Sequence, residues 1–124
     1  QLNGQKILIR GNHDHWKEAK YKRLGFFEVY NFHSTPHFEM FHFPYKGEEI
    51  DDRKLSSLED KGGWLLHGHV HCSWKVKKKM INVGVDQWGY FPVSEEEIFK
   101  IIAAEGKRRD LLSINLPRIA ALFV

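Results

Sequence analysis

The chain has 124 residues, 42% of them hydrophobic and 14% aromatic, with a formal charge of +3. That composition fits one small packed domain and excludes a disordered tail or a collagen-like fibre. No apolar run is long enough to span a bilayer, and no basic-then-apolar leader opens the sequence. The single cysteine, Cys72, excludes an intrachain disulfide and fits a reducing compartment, so a cytoplasmic location is expected. Eight histidines stand out, because imidazole is both a metal ligand and a titratable group near neutral pH.

In chain order, Gln5–Arg10 is an isoleucine-rich strand that runs into the loop Gly11-Asn12-His13-Asp14. His15–Leu24 is predicted as a helix closed by Gly25. Phe26–Phe32 reads as one short strand. After Pro36, His37–Phe43 is a strand with Phe38, Met40 and His42 on one face and Glu39, Phe41 and Phe43 on the other. Tyr45–Gly63 is polar and reads as a loop, with a short helix around Asp51–Leu58. Trp64–His67 is a brief buried strand. Ser73–Val85 forms a hairpin with Lys77, Lys78 and Lys79 near its turn. Ser94–Glu105 is a helix: Ser94 and Glu97 make a capping box, Val93 and Ile98 a hydrophobic staple, and Gly106 with the basic trio Lys107, Arg108 and Arg109 closes it. The fold class is therefore α/β. Residues 1–106 form the domain, and 107–124 are a basic then apolar tail of unknown role.

Trp64-Leu-Leu-His-Gly-His-Val-His71 repeats the design of the first strand: an apolar run that stops at glycine and delivers polar groups. In an extended segment, residues two apart point the same way, so His69 and His71 are expected to face one site. Neutral imidazoles suit zinc, manganese, iron or nickel. Asn12 adds a carbonyl oxygen and His42 a ring nitrogen. His67 reads as packing, and His15, His33 and His37 as surface residues. Asn82 and Asp86 are placed to hold the ligand loops by hydrogen bonds. Trp88, Tyr90 and Phe91 are assigned to the core rather than to a pocket for a base.

With these motifs in order, the chain resembles the later half of the calcineurin-like metallophosphoesterases. Gly11-Asn12-His13-Asp14 matches that family's Gly-Asn-His-Asp/Glu motif, Phe41-His42-Phe43-Pro44 its isolated histidine, and Gly68-His69-Val70-His71 its Gly-His-x-His motif. Asn82–Ser94 is similar to the closing segment of a small bacterial and phage subgroup of predicted phosphoesterases. The likeness covers about residues 2–100. It implies part of a four-layer α/β/β/α sandwich that hydrolyses a phosphomonoester or phosphodiester, a nucleotide among the candidates, with two divalent ions (manganese first, then iron, zinc or nickel). By position, Asn12, His42 and His69 would bind the second metal and His71 the first. His13 would steady the transition state or protonate the leaving oxygen, and Asp14 would orient its neighbours. Two metals about 4 Å apart clamp a phosphate and bring the pKa of bound water towards about 7.

The family's first two motifs, Asp-x-His and Gly-Asp-x-x-Asp/Asn, are missing. Residues 1–10 hold no carboxylate and no histidine, and Asp51, Asp52 and Asp60 have the wrong context. The first metal keeps only His71, and the bridging aspartate is lost. The opening strands go with them, leaving a sheet edge that invites self-association. The start at Gln1 reads as a cut, so a piece of a longer enzyme is expected. The alternative is a non-catalytic module that binds one metal or a partner chain. Lys75–Lys79 is read as a solvated hairpin tip rather than a nucleic-acid surface.

Overall fold

A computed structural model describes residues 3–48 and 57–107 of the chain. Among them the chain folds as mixed α/β with two sheets. The first strand, β1 (Ile7–Ile9), is followed by helix α1 (Glu18–Arg23) and by β2 (Glu28–Tyr30), which pairs parallel to β1 with Leu8 opposite Val29. The helix is shorter than expected and ends at Leu24, with Gly25 at φ +97°.

The expected single strand over Phe26–Phe32 is two strands. β2 stops at Tyr30, and β3 (Phe32–Ser34) starts after Asn31 in the other sheet. No glycine or proline interrupts the segment, so tertiary pairing is what divides it. The second sheet continues with β4 (Glu39–Phe41), β5 (Leu65–His67), β6 (Val76–Lys77) and β7 (Met80–Asn82) in the order β3-β4-β5-β7-β6. β4, β5 and β7 run parallel, and β6–β7 is the expected hairpin, turning at Lys78 with φ 53°. The expected helix around Asp51–Leu58 falls largely outside the described residues.

Register explains the core. Leu65 pairs with Met80 and Leu66 with Ile81, so each face of the sheet receives a matched pair. Leu66 and Ile81 join Ile9, Phe38, Met40, Val83 and Ile98 in the main cluster. On the opposite face Leu65 and Met80 pack with Tyr45, over which lie Leu58 and Trp74. Each fully buried aliphatic side chain stabilises the fold by about 2 kcal/mol. β1 is buried on both sides: Ile9 joins the main cluster, while Leu8 packs with Tyr21 of α1 and Val29.

Helix α2 (Glu95–Lys107) starts where its cap requires, with the Glu97 amide donating to Ser94 Oγ at 3.2 Å. Val93 packs against the cluster that holds Ile98, as the staple demands. The helix does not close at Gly106 but runs on to Lys107. No helix among the described residues is long and apolar enough to cross a membrane.

Candidate functional site

The carboxyl ends of β1, β4 and β5 each pass into a loop, and these three loops meet. The first is pinned by Asp14, whose Oδ2 accepts from the Gly11 amide at 2.7 Å and whose Oδ1 accepts from Tyr21 Oη at 3.3 Å. Asp14 thus folds the loop back on itself and turns Asn12 towards His42. His42 Nε2 and Asn12 Oδ1 are 2.8 Å apart. The His42 ring lies close against Gly11. A Cβ built there would come within 2.7 Å of the ring, so a glycine is needed for this close approach.

The third loop departs from expectation. His69 and His71 do not lie on an extended segment, because β5 ends at His67 and both residues have left-handed backbone, φ 65° and 45°. The Val70 amide donates to Gly68 O at 2.7 Å, and Val70 is fully buried. The buried valine anchors a tight turn that throws its two neighbours outward. Non-glycine residues in this region each cost about 1 kcal/mol or more, a strain that concentrates at functional sites.

The turn is held from β7. Asn82, with no exposed surface, donates from Nδ2 to His71 O (2.7 Å) and Trp74 O (3.0 Å), and its Oδ1 accepts from the Gly84 amide at 3.0 Å. Asp86 Oδ2 lies 3.3 Å from His71 Nδ1. With the proton of a neutral ring held on Nδ1, His71 presents its Nε2 lone pair outward.

The structure therefore brings His42, His69 and His71 to one pocket of about 420 Å³, with Asn12 against His42. The His42 and His69 rings stand edge to face at 5.3 Å between centroids. Burial, then the neighbouring His69, pushes His42 down to about 4, so at neutral pH it is the uncharged, ligating form. His13 is exposed on the first loop, 6.4 Å from the His15 ring. His33 stacks on Tyr30, and His37 stands edge to face against Phe99. His67 is buried against Trp74, as expected of packing, but it also lines the pocket and its Nε2 has no hydrogen-bond partner.

The closing segment corrects one expectation. Trp88 is a core residue, packing on the main cluster and donating from Nε1 to Asn82 O at 2.8 Å. Tyr90 and Phe91 are not: they are 79% and 74% exposed. No apolar periodicity separates the three in the sequence, so nothing there marked the difference.

Among the described residues no group of three or more His, Cys, Asp or Glu is arranged to hold a metal ion. An amide oxygen falls outside that set of residue types. Two donors on one ion, each about 2.1 Å from it, lie about 3 Å apart, and Asn12 Oδ1 and His42 Nε2 have that separation. Asn12 and His42 thus have the donor spacing that one borderline ion needs, with the His69 ring beside them, whereas the carboxylate described beside His71 is Asp86, on its Nδ1.

No family model and no solved structure matches the chain. Among curated proteins it is similar to the gene 66 protein of Mycobacterium phage L5, 31% identical over 124 aligned positions that cover 80% of this chain and 59% of that protein. An uncharacterized protein of Methanocaldococcus jannaschii is 32% identical over 108 positions, covering 82% and 52%. The gene 66 protein of Mycobacterium phage D29 is 30% identical, covering 68% and 54%. The chain spans about half the length of the curated relatives it matches.

Proposed function

We propose that the chain supplies one wall of the active site of a calcineurin-like metal-dependent phosphoesterase. The observation that carries the reading is the meeting of His42 and His69 at one pocket, with Asn12 of a third segment against His42. These residues would hold one divalent ion, manganese first among the candidates. When bound, such an ion draws charge from the phosphoryl oxygens and acidifies a water. The chain's own residues do the rest. Asp14 fixes the loop that aims Asn12, and Asp86 keeps the His71 Nε2 lone pair outward. His13, exposed beside the site, holds a proton for the departing alkoxide.

Among the described residues a second ion would find only His71, so the carboxylates of a two-metal clamp would have to come from a part of the protein outside them. Relatives about twice as long leave room for such a part. On the same reading β1–β2 and the larger sheet are the inner layers of a four-layer sandwich. Leu8 faces α1 and Ile9 faces the larger sheet, which supports three of those layers.

Titration of the full chain with manganese tests the reading. It should bind one ion, with affinity at least about tenfold weaker in His42→Ala and in His69→Ala. Equal affinity in the variants would overturn the assignment. Two ions with turnover of bis(4-nitrophenyl) phosphate would mean that a second copy supplies the missing ligands. The rival reading is a module that binds one ion or a partner chain, and β1 favours it: no strand pairs with its second edge among the described residues. Under that reading the chain forms a stable complex and never hydrolyses the ester. Nucleic-acid binding is less favoured, because Lys77 and Lys78 both pair with Glu48.

A further inference from the structure

Tyr90 breaks two folding rules at once. Its ring is 79% exposed, and its backbone is left-handed at φ 64°. Exposure forgoes the burial that a large ring offers, and a left-handed tyrosine is strained. Phe91 beside it is 74% exposed. The loop that carries them is nonetheless firmly built. The Tyr90 amide donates to Val85 O at 2.9 Å and the Phe91 amide to Trp88 O at 3.2 Å. Trp88 in turn is tied to Asn82, the residue that pins His71. Tyr90 is therefore held in a costly pose on a rigid support.

That pose puts Tyr90 on the wall of the histidine pocket, whose lining also includes the apolar Ile9, Phe41 and Val83. A pocket of about 420 Å³ has the size of a small-molecule site and exceeds what a bare phosphate needs. An exposed aromatic ring and the imidazoles of His42, His69 and His71 in one pocket lining match a ligand with a flat ring at one end and an anion at the other. Strained, exposed aromatic residues at a pocket mouth are explained by the ligand they meet.

We propose that Tyr90 is a stacking platform for a nucleobase, so that the substrate of the site is a nucleotide ester. The proposal rests on the phosphoesterase reading for its phosphate end only. Tyr90 acts on specificity: it holds the base while the histidine cluster faces the phosphate.

Binding of adenosine 5′-monophosphate, uridine 5′-monophosphate, the two nucleosides and inorganic phosphate to the full chain, loaded with manganese and without it, provides the test. Saturation-transfer NMR gives the contact and titration the affinity. The nucleotides should bind more tightly than phosphate. Tyr90→Asn should weaken nucleotide and nucleoside about tenfold and leave phosphate unchanged, while Tyr90→Phe stays near wild type. Asn and Gly suit a left-handed backbone, so Tyr90→Asn and Tyr90→Gly should melt no lower than wild type, which separates lost stacking from unfolding. Nucleotides that bind no better than phosphate, a nucleotide affinity indifferent to Tyr90→Asn, or no nucleotide binding would overturn the proposal. Nucleoside binding that needs Tyr90 in a chain with no affinity for phosphate would keep the platform and sink the phosphoesterase reading. Phosphate binding that ignores the base would do the reverse.

Discussion

Replacing Asn82 by leucine should lower the unfolding free energy by about 2–4 kcal/mol, a large share of a small domain's stability. The side chain is fully buried and joins three backbone groups: His71 O, Trp74 O and the Gly84 amide. Leucine fills the same volume but takes away the bonds of Trp74 O and the Gly84 amide, each at a cost of about 1–3 kcal/mol, while His71 O keeps its bond from Gln87 Nε2. Some relaxation towards water reduces the sum. Urea denaturation reads the loss. The effect should extend to the site, because His71 O loses its shorter, part-buried bond and keeps only the exposed one from Gln87 Nε2. A loss below about 1 kcal/mol would show that the turn is held without Asn82.

Acid should destabilise the fold well before the carboxylates titrate. His67 is 1% exposed, and burial, the largest cause, pushes it down to about 4 from an ordinary 6.5. His42 moves the same way, again chiefly through burial. Between those pH values the unfolded chain binds protons that the folded chain refuses. The stabilisation is therefore complete above about pH 6.5 and lost progressively as pH falls to about 4. For His67 alone the lowered value amounts to about 3 kcal/mol. Chemical denaturation at pH 7.5, 6, 5 and 4 should trace this slope. It should be shallower in His67→Phe, whose ring can still pack on Trp74. A slope unchanged in that variant would assign the acid sensitivity elsewhere.

How much of this was legible in the sequence depends on whether the signal was local. Helix α2 was, because Ser94, Val93 and Ile98 act within one turn of its start. The β6–β7 hairpin was, because its turn carries its own charged residues. Division of the run through Tyr30 and Phe32 into two sheets was not: the strands continue in sequence and part only in their partners. Asn12, His42, His69 and His71 were legible as a group through residue type and motif. The route by which His69 and His71 reach the pocket was hidden. It depends on left-handed backbone at residues with no glycine to announce it, stabilised by an asparagine more than ten positions away. Tyr90 was hidden for the same reason, since exposure is a property of the finished surface.

β1 separates two quantities that usually go together, the burial of a side chain and the protection of its amide. Leu8 and Ile9 are as deeply buried as many core residues. Arg10 donates to Tyr30 O and Lys6 accepts from the Phe27 amide, so strand alternation points the backbone groups of Ile7 and Ile9 away from β2. In deuterium oxide the amides of Leu66 in β5, flanked by β4 and β7, should exchange only on global opening. Those of Ile7 and Ile9 should exchange orders of magnitude sooner. Their slowing on addition of any second polypeptide would report that β1 had gained a neighbour.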